Sequence, residues 1–281
     1  MNWKSPPADQ SKVWLNKSLE IQILLACNWS CVSCDQFSQF SKFAWVKKGT
    51  MSLEQIAHFC AEMRAGNFYF GRIRLVGGEP TIHPRFGEIV GMLREELIDN
   101  GHVAVLEVVT NGSHPEKIKP VAHLINRVRV SDDNDKQKHH TANLIATPAS
   151  LGYQGKRCNQ PEHCGWSLSY YGFAPCSSAG GIMRLRDLMS EHQRTSLPQV
   201  KGTEANWPKL QNLCDQCYHA LRSEDKIKSG TSDPSRNMPS EEAAVHVNKW
   251  AGGHKPDWKI YGQEANENPA HGDALRPAGA V

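Results

Sequence analysis

Three thiols fall within eight residues, at Cys27, Cys31 and Cys34. They follow directly on the apolar run Ile21-Gln22-Ile23-Leu24-Leu25. A strand that ends in a cysteine-bearing loop presents its sulfurs at the carboxyl end of a sheet, where α/β proteins keep their ligands. Three thiolates spaced C-x3-C-x2-C can hold three irons of a cubane cluster and leave the fourth iron without a protein ligand. Zinc is the competing metal, but structural zinc wants four ligands, often as paired C-x2-C units. A second set follows at Cys158, Cys176, Cys214 and Cys217. Four thiolates would saturate an iron–sulfur cluster, and the same four could hold structural zinc. Cys164, six residues after Cys158, is open to three readings: a replacement ligand, a free thiol, or a hydrogen-atom donor.

The elements that must position these groups can be read from periodicity. Leu19 to Leu25 reads as the first strand and Ile73 to Val76 as the second, running into Gly77-Gly78-Glu79-Pro80. Two glycines let the backbone approach a neighbour closely, and the carboxylate beside them can accept from an ammonium group. Between these strands, Ser52-Leu53-Glu54-Gln55 carries a capping-box signature and opens a helix with Leu53, Ile56, Phe59 or Cys60, and Met63 along one stripe. Cys60 lies on that stripe and reads as core. Phe86 to Leu97 marks a further helix, stopped by Asn100-Gly101. Val103 to Val109 is the third strand, ending in Thr110-Asn111-Gly112, and Arg127 to Val130 is the fourth, ending in Ser131-Asp132-Asp133. Four successive strands thus bring their polar residues to the same end, as βα barrels do. The charged run Asp132 to His140 leaves that end as a solvated loop or as a substrate-facing one.

Composition narrows the setting. The chain has 281 residues, with Lys+Arg 32 against Asp+Glu 29 and nine cysteines. The near balance of charge gives no reason to expect nucleic acid or an anionic membrane. Residues 1–18 are polar and contain Pro6-Pro7, so no signal peptide is expected, and no apolar run is long enough for a membrane span. Cysteines without export signals read as metal ligands in a reducing cytoplasm. From about Ser223, Ser, Pro, Gly, Asn and charges dominate to Val281, which predicts a flexible polar tail that drapes over the body or docks a partner, with Trp250, Trp258 and Tyr261 as isolated stickers.

The cysteine loop together with Gly77 to Pro80 resembles the radical S-adenosylmethionine (radical SAM) superfamily. That resemblance implies a 4Fe–4S cluster on Cys27, Cys31 and Cys34, with SAM chelated to the open iron. It further implies that Gly77, Gly78 and Glu79 bind the SAM amino group, and that Thr110, Asn111, Ser131 and Asp133 lie close to the same cofactor. The residue before the third cluster cysteine is often aromatic in that family and near the adenine; here it is Ser33, which passes the role to backbone or to another side chain such as Phe37. Trp166 to Ser169 and Phe173 to Pro175 read as a hairpin, with a helix from Met183 to Met189, flanked by the second cysteine set. This arrangement resembles the twitch domain, the reduced form of the SPASM domain, and implies a second 4Fe–4S cluster on Cys158, Cys176, Cys214 and Cys217.

The expected architecture is therefore α/β: a partial (β/α) barrel shortened to about five strands, with Asn143 to Ala146 as a weak fifth. A small twitch domain and the polar tail complete it. The expected divisions are residues 1–18 as an arm, 19–150 as the barrel, 151–222 as the twitch domain and 223–281 as the tail. The resemblance implies hydrogen abstraction from an unactivated C–H by a 5′-deoxyadenosyl radical. One reading is oxidation of a small polar metabolite with the auxiliary cluster as electron acceptor. Another is a maturase that crosslinks or epimerises a peptide, and a third is a zinc-binding interaction protein without activity. A reductase or flavodoxin-type electron donor is the expected partner.

Overall fold

The computed structural model describes residues 3–29, 34, 36, 38, 43–131, 165–200, 213–214, 217, 248–255 and 257–263. Strand β1 (Val13–Leu24) is followed by the short α1 (Ala44–Lys48), α2 (Leu53–Ala65) and β2 (Phe68–Gly77). Then come α3 (Phe86–Leu93), β3 (Val103–Thr110), α4 (Pro115–Ile118) and β4 (Arg127–Val130). After a gap the chain forms β5 (Trp166–Ser169), β6 (Gly172–Ala174), α5 (Ser177–Leu185), α6 (Met189–His192) and α7 (Leu197–Val200). The strands make one six-stranded sheet in the order β4-β3-β2-β1-β5-β6. All neighbours are parallel except β5 and β6, which form the expected hairpin. This is the partial-barrel α/β arrangement read from the sequence.

Local rules explain each element. Ser52 and Gln55 close a reciprocal capping box at the start of α2, a device worth about 1 kcal/mol. Ile56, Phe59, Cys60 and Met63 bury one face of that helix on the sheet, each large side chain contributing roughly 1.5–3 kcal/mol. Burial pushes the Cys60 thiol up to about 12, so it stays protonated and packs as an apolar group. The α3 helix passes into a π-turn at Arg94–Ile98. It ends where Asn100 donates to the Glu95 carbonyl and Gly101 turns at a φ of +68°.

Three boundaries differ from the sequence reading. The first strand begins at Val13, inside the expected arm of residues 1–18, and pairs with β2 from Phe68 onward. A register shift between Trp14 and Asn16, together with the polar Asn16 and Lys17, hides the alternation there. The hairpin strand β5 does not stand apart in a separate unit, because it pairs in parallel with β1 from Leu19 opposite Trp166 to Gln22 opposite Ser169. It becomes the fifth parallel strand of the sheet, with Trp166 edge-on to Phe70 at 5.8 Å. The proposed strand Asn143 to Ala146 lies outside the described residues.

The third difference is in the tail. Trp250, Trp258 and Tyr261 are all buried, so residues 248–255 and 257–263 lie over the body, as one of the two expectations had it, but as packed structure and not as isolated stickers. Trp250 Nε1 donates to the Leu185 carbonyl at 2.7 Å, and Trp258 Nε1 to Asp187 Oδ1 at 2.6 Å. Gln55 Nε2 donates to the Tyr261 carbonyl at 2.8 Å. Three aromatic anchors supply the apolar area that the tail's composition does not suggest. Among the described residues no helix is long and apolar enough to cross a membrane.

Two apolar cores result. The larger one lies between the sheet and α2 and α3. The second gathers Leu25, Phe43, Val46, Tyr171, Ile182 and Met183 with Trp250 and Trp258. It also contains Cys176 and Cys217, with Cys214 packed against it.

Candidate active site

The carboxyl ends of β1, β2 and β3 are sewn together by backbone. Gly78 N donates to the Leu24 carbonyl and Glu79 N to the Ala26 carbonyl, each at 3.0 Å. A Cβ on Gly78 would lie 1.9 Å from the Ala26 oxygen, and one on Gly77, whose φ is +147°, would lie 2.1 Å from the Leu24 oxygen. The glycine pair is therefore required for the second loop to touch the loop that leads into Cys27. The backbone these glycines approach is the protein's own.

Glu79 is fully buried. Its Oε1 accepts from Thr81 N at 3.0 Å, from the Thr81 hydroxyl and from Thr110 Oγ1 at 2.7 Å; its Oε2 accepts from Asn111 N at 2.6 Å. Four protein donors give the carboxylate an internal role, tying the end of β2 to the end of β3. Carboxylates in such a cradle are held by hydrogen bonds to the charged form, the strong kind.

Asn111 continues the chain of contacts to the cysteine loop. Its Nδ2 reaches Cys27 Sγ at 3.8 Å and Asn28 Oδ1 at 2.9 Å. Its Oδ1 accepts from Ser113 N at 3.0 Å and Ser113 Oγ at 2.6 Å, while Asn28 Nδ2 donates to Ser113 Oγ at 2.8 Å. Trp29 N also approaches Cys27 Sγ, at 3.3 Å. Two N–H groups thus converge on one sulfur, the pattern expected around a thiolate that ligates a cluster. Ser131 closes the row, its N donating to the Thr110 carbonyl at 2.8 Å. Cys31, Ser33, Phe37 and Asp133 lie outside the described residues, as does the run Asp132 to His140.

The structure brings Cys27, Gly77, Gly78, Glu79, Thr110, Asn111 and Ser131 to one end of the sheet. Cys34 is half-buried and lies near enough to Arg184 of α5 to affect its titration. That guanidinium is pushed down to about 10 by burial, with Tyr171 and Cys34 acting in the opposite sense. Cys176 is the N-cap of the same helix, its Sγ accepting from Ala179 N at 3.4 Å. Cys217 N donates to the Cys214 carbonyl at 3.0 Å. These three share the second core, but among the described residues no three metal-ligating side chains close into a group. Cys158 and Cys164 lie outside the described residues.

Sequence reasoning passed over two features. Asn28 and Ser113, which latch the cysteine loop to the Thr110-Asn111 turn, stand beside the motifs and carry no pattern of their own. The second feature is an ion network on the opposite face of the sheet from the main core. Arg74 pairs with Glu20 and lies 3.4 Å from Glu107; Arg72 lies 3.1 Å from Glu107 and donates to Ser18 Oγ at 3.2 Å. Ser177 of α5 bonds to Glu20. Its sequence signal is the alternation of charged with aliphatic residues in Glu20-Ile21-Gln22-Ile23 and Arg72-Ile73-Arg74-Leu75, which marks strands with one polar buried face.

Comparison with known proteins gives the chain a context. The profile described as "Radical SAM superfamily" matches residues 21–142. A curated relative, "S-adenosylmethionine-dependent nucleotide dehydratase" of Fibrobacter sp. (strain UWH6), is 28% identical over 116 residues. The match takes in 40% of this chain and 32% of that protein, so the chain spans about a third of its relative's length. Among solved structures, "Crystal structure of BtrN in complex with AdoMet and 2-DOIA" is similar at a TM-score of 0.49 with 16% identity, covering 74% of this chain and 94% of that one. "Crystal structure of SeMet BtrN in an OPEN conformation" is similar at 0.46 with 15% identity, covering 73% and 87%.

Proposed function

The chain carries a radical SAM domain, and from that premise we propose that it abstracts hydrogen from an unactivated C–H of a small polar metabolite and oxidises it by two electrons. The observation that carries the reading is the continuous contact from Glu79 through Asn111 to Cys27. It unites the segments that the family motifs assign to cluster and cofactor. Cys27, Cys31 and Cys34 would hold a 4Fe–4S cluster, which together with SAM supplies a 5′-deoxyadenosyl radical. The chain's own residues place that chemistry. Gly77 and Gly78 keep the cofactor loop against the cysteine loop, Glu79 fixes its register on β3, and Asn111 orients Cys27.

Cys158, Cys176, Cys214 and Cys217 would hold a second cluster as electron acceptor. Support comes from the placement of Cys176, Cys214 and Cys217 at one apolar core, beside α5, whose N-cap is Cys176. A reductase or flavodoxin-type protein would deliver the electron that starts each turnover.

One observation favours a second reading. The Fibrobacter relative is described as a nucleotide dehydratase, and a dehydration consumes no second electron acceptor. Product mass separates the two readings: loss of two hydrogens marks oxidation, and loss of one water marks dehydration. The oxidation reading also expects substitution of Cys176, Cys214 or Cys217 by Ala to abolish product while 5′-deoxyadenosine formation persists. Product formation that survives all three substitutions would remove the auxiliary cluster from the reaction.

A further inference from the structure

Gln22 lies buried on the polar face of β1 with its amide unpaired. It sits two residues before the end of the strand, opposite Val76 on β2 and Ser169 on β5. Side chains alternate across a strand, and Leu19, Ile21 and Ile23 take the face of the main core. Ser18, Glu20 and Gln22 take the other. Gln22 has no exposed surface at all, yet neither its Nε2 nor its Oε1 makes a hydrogen bond.

The rows on either side of this amide are joined by hydrogen bonds and ion pairs. On one side, Glu20, Arg74, Glu107, Arg72 and Ser177 bond to one another. On the other, Glu79, Thr110, Asn111 and Cys27 do the same. In its own row Val76 offers nothing polar, and Ser169 Oγ is taken up by its own turn, donating to the Gly172 carbonyl and accepting from Tyr171 N, both at 3.3 Å. A buried amide without partners is costly, because folding removes water from it and gives nothing back. Such groups persist where a ligand or an ordered water supplies the partner, at the expense of stability without it.

The chemistry of the amide narrows that ligand to a group that both donates and accepts. Nε2 can only donate and Oε1 can only accept. A carboxylate or phosphate would leave Oε1 unmet, and an ammonium would leave Nε2 unmet. Two adjacent hydroxyls meet both, one donating to Oε1 and its neighbour accepting from Nε2. We propose that Gln22 binds a vicinal diol lying between the Glu79 row and the Glu20–Arg74 row. This deepens the proposed function, on which it rests, by naming the substrate as a polyhydroxylated metabolite such as a cyclitol or sugar; the ribose of SAM offers the same group and is the other source.

The test uses the full chain, reconstituted anaerobically, with Gln22→Leu as the variant. Without any ligand the variant should melt at a higher temperature than the native protein, because two unpaired buried polar atoms have been removed. A lower melting temperature would show that the fold itself uses the amide and would overturn the proposal. This arm needs neither cluster nor SAM, so it stands even where the radical SAM reading fails. In the second arm myo-inositol should raise the native melting temperature, cyclohexanol should not, and the variant should lose the effect. If instead the variant keeps any myo-inositol effect but binds SAM about tenfold more weakly, the diol is that of SAM. Protection by uracil and not by myo-inositol would replace the diol with an amide edge, and unchanged responses in both arms would leave Gln22 without a ligand.

Discussion

Asn111 N donates to Glu79 Oε2 at 2.6 Å while Asn111 Nδ2 reaches Cys27 Sγ at 3.8 Å. One residue therefore holds the carboxylate of the second strand's loop with its backbone and the first strand's thiol with its side chain. Three separate strand ends are linked through it.

The first prediction concerns Glu79. Its carboxylate serves two backbone amides and two hydroxyls of the protein, so Glu79→Gln should set an amide N–H₂ against one of those donors. The unfolding free energy of the SAM-free protein should fall by about 1.5–3 kcal/mol, the scale of a hydrogen bond to a charged group. Denaturant titration measures it. Unchanged stability with weakened SAM binding would assign the carboxylate to the cofactor's ammonium instead.

Asn111 supplies the second. Hydrogen bonds to cluster sulfurs raise the reduction potential, because they stabilise the more negative reduced state. Asn111→Ala should therefore lower the midpoint potential of the cluster proposed on Cys27, Cys31 and Cys34 in an EPR redox titration, with its iron content retained. A midpoint that does not move would confine Asn111 to holding Asn28.

The third is a pH dependence. Burial holds His83 below its ordinary value of 6.5. Its ring is also fixed as one neutral tautomer, with Nε2–H donating to the Met51 carbonyl at 2.9 Å and Nδ1 accepting from Arg85 N at 3.0 Å. His102 is likewise depressed by burial. Because the unfolded chain takes up these protons first, stability is full above 6.5 and falls as the pH drops toward the lower folded values. His83→Asn should flatten that fall in melts taken across the range. An equally steep fall in the variant would place the acid sensitivity elsewhere.

The parallel strands and helices were legible because Ile21, Ile23, Ile73, Leu75, Leu106 and Val108 form aliphatic runs, and because Ser52 to Gln55 and Asn100-Gly101 are local stop and start chemistry. Cysteine spacing pointed to the loop after β1. The join of β5 to β1 was not legible, since pairing partners far apart in sequence leave no periodic trace. Nor was the packing of Trp250, Trp258 and Tyr261, where three side chains in a polar stretch outweigh its composition. Glu79 shows a subtler gap: the motif marks the residue, but only the structure shows Thr81, Thr110 and Asn111 surrounding its carboxylate.

The central claim is that the strand-end unit around Cys27 cleaves SAM, and one assay reaches it directly. Anaerobically reconstituted, dithionite-reduced protein is incubated with SAM, and 5′-deoxyadenosine and methionine are quantified. The account predicts a brown protein that releases both in equal amounts, with release abolished in Cys27→Ala, Cys31→Ala and Cys34→Ala. A colourless, zinc-bearing protein, or 5′-deoxyadenosine formation that persists in those three variants, would contradict it.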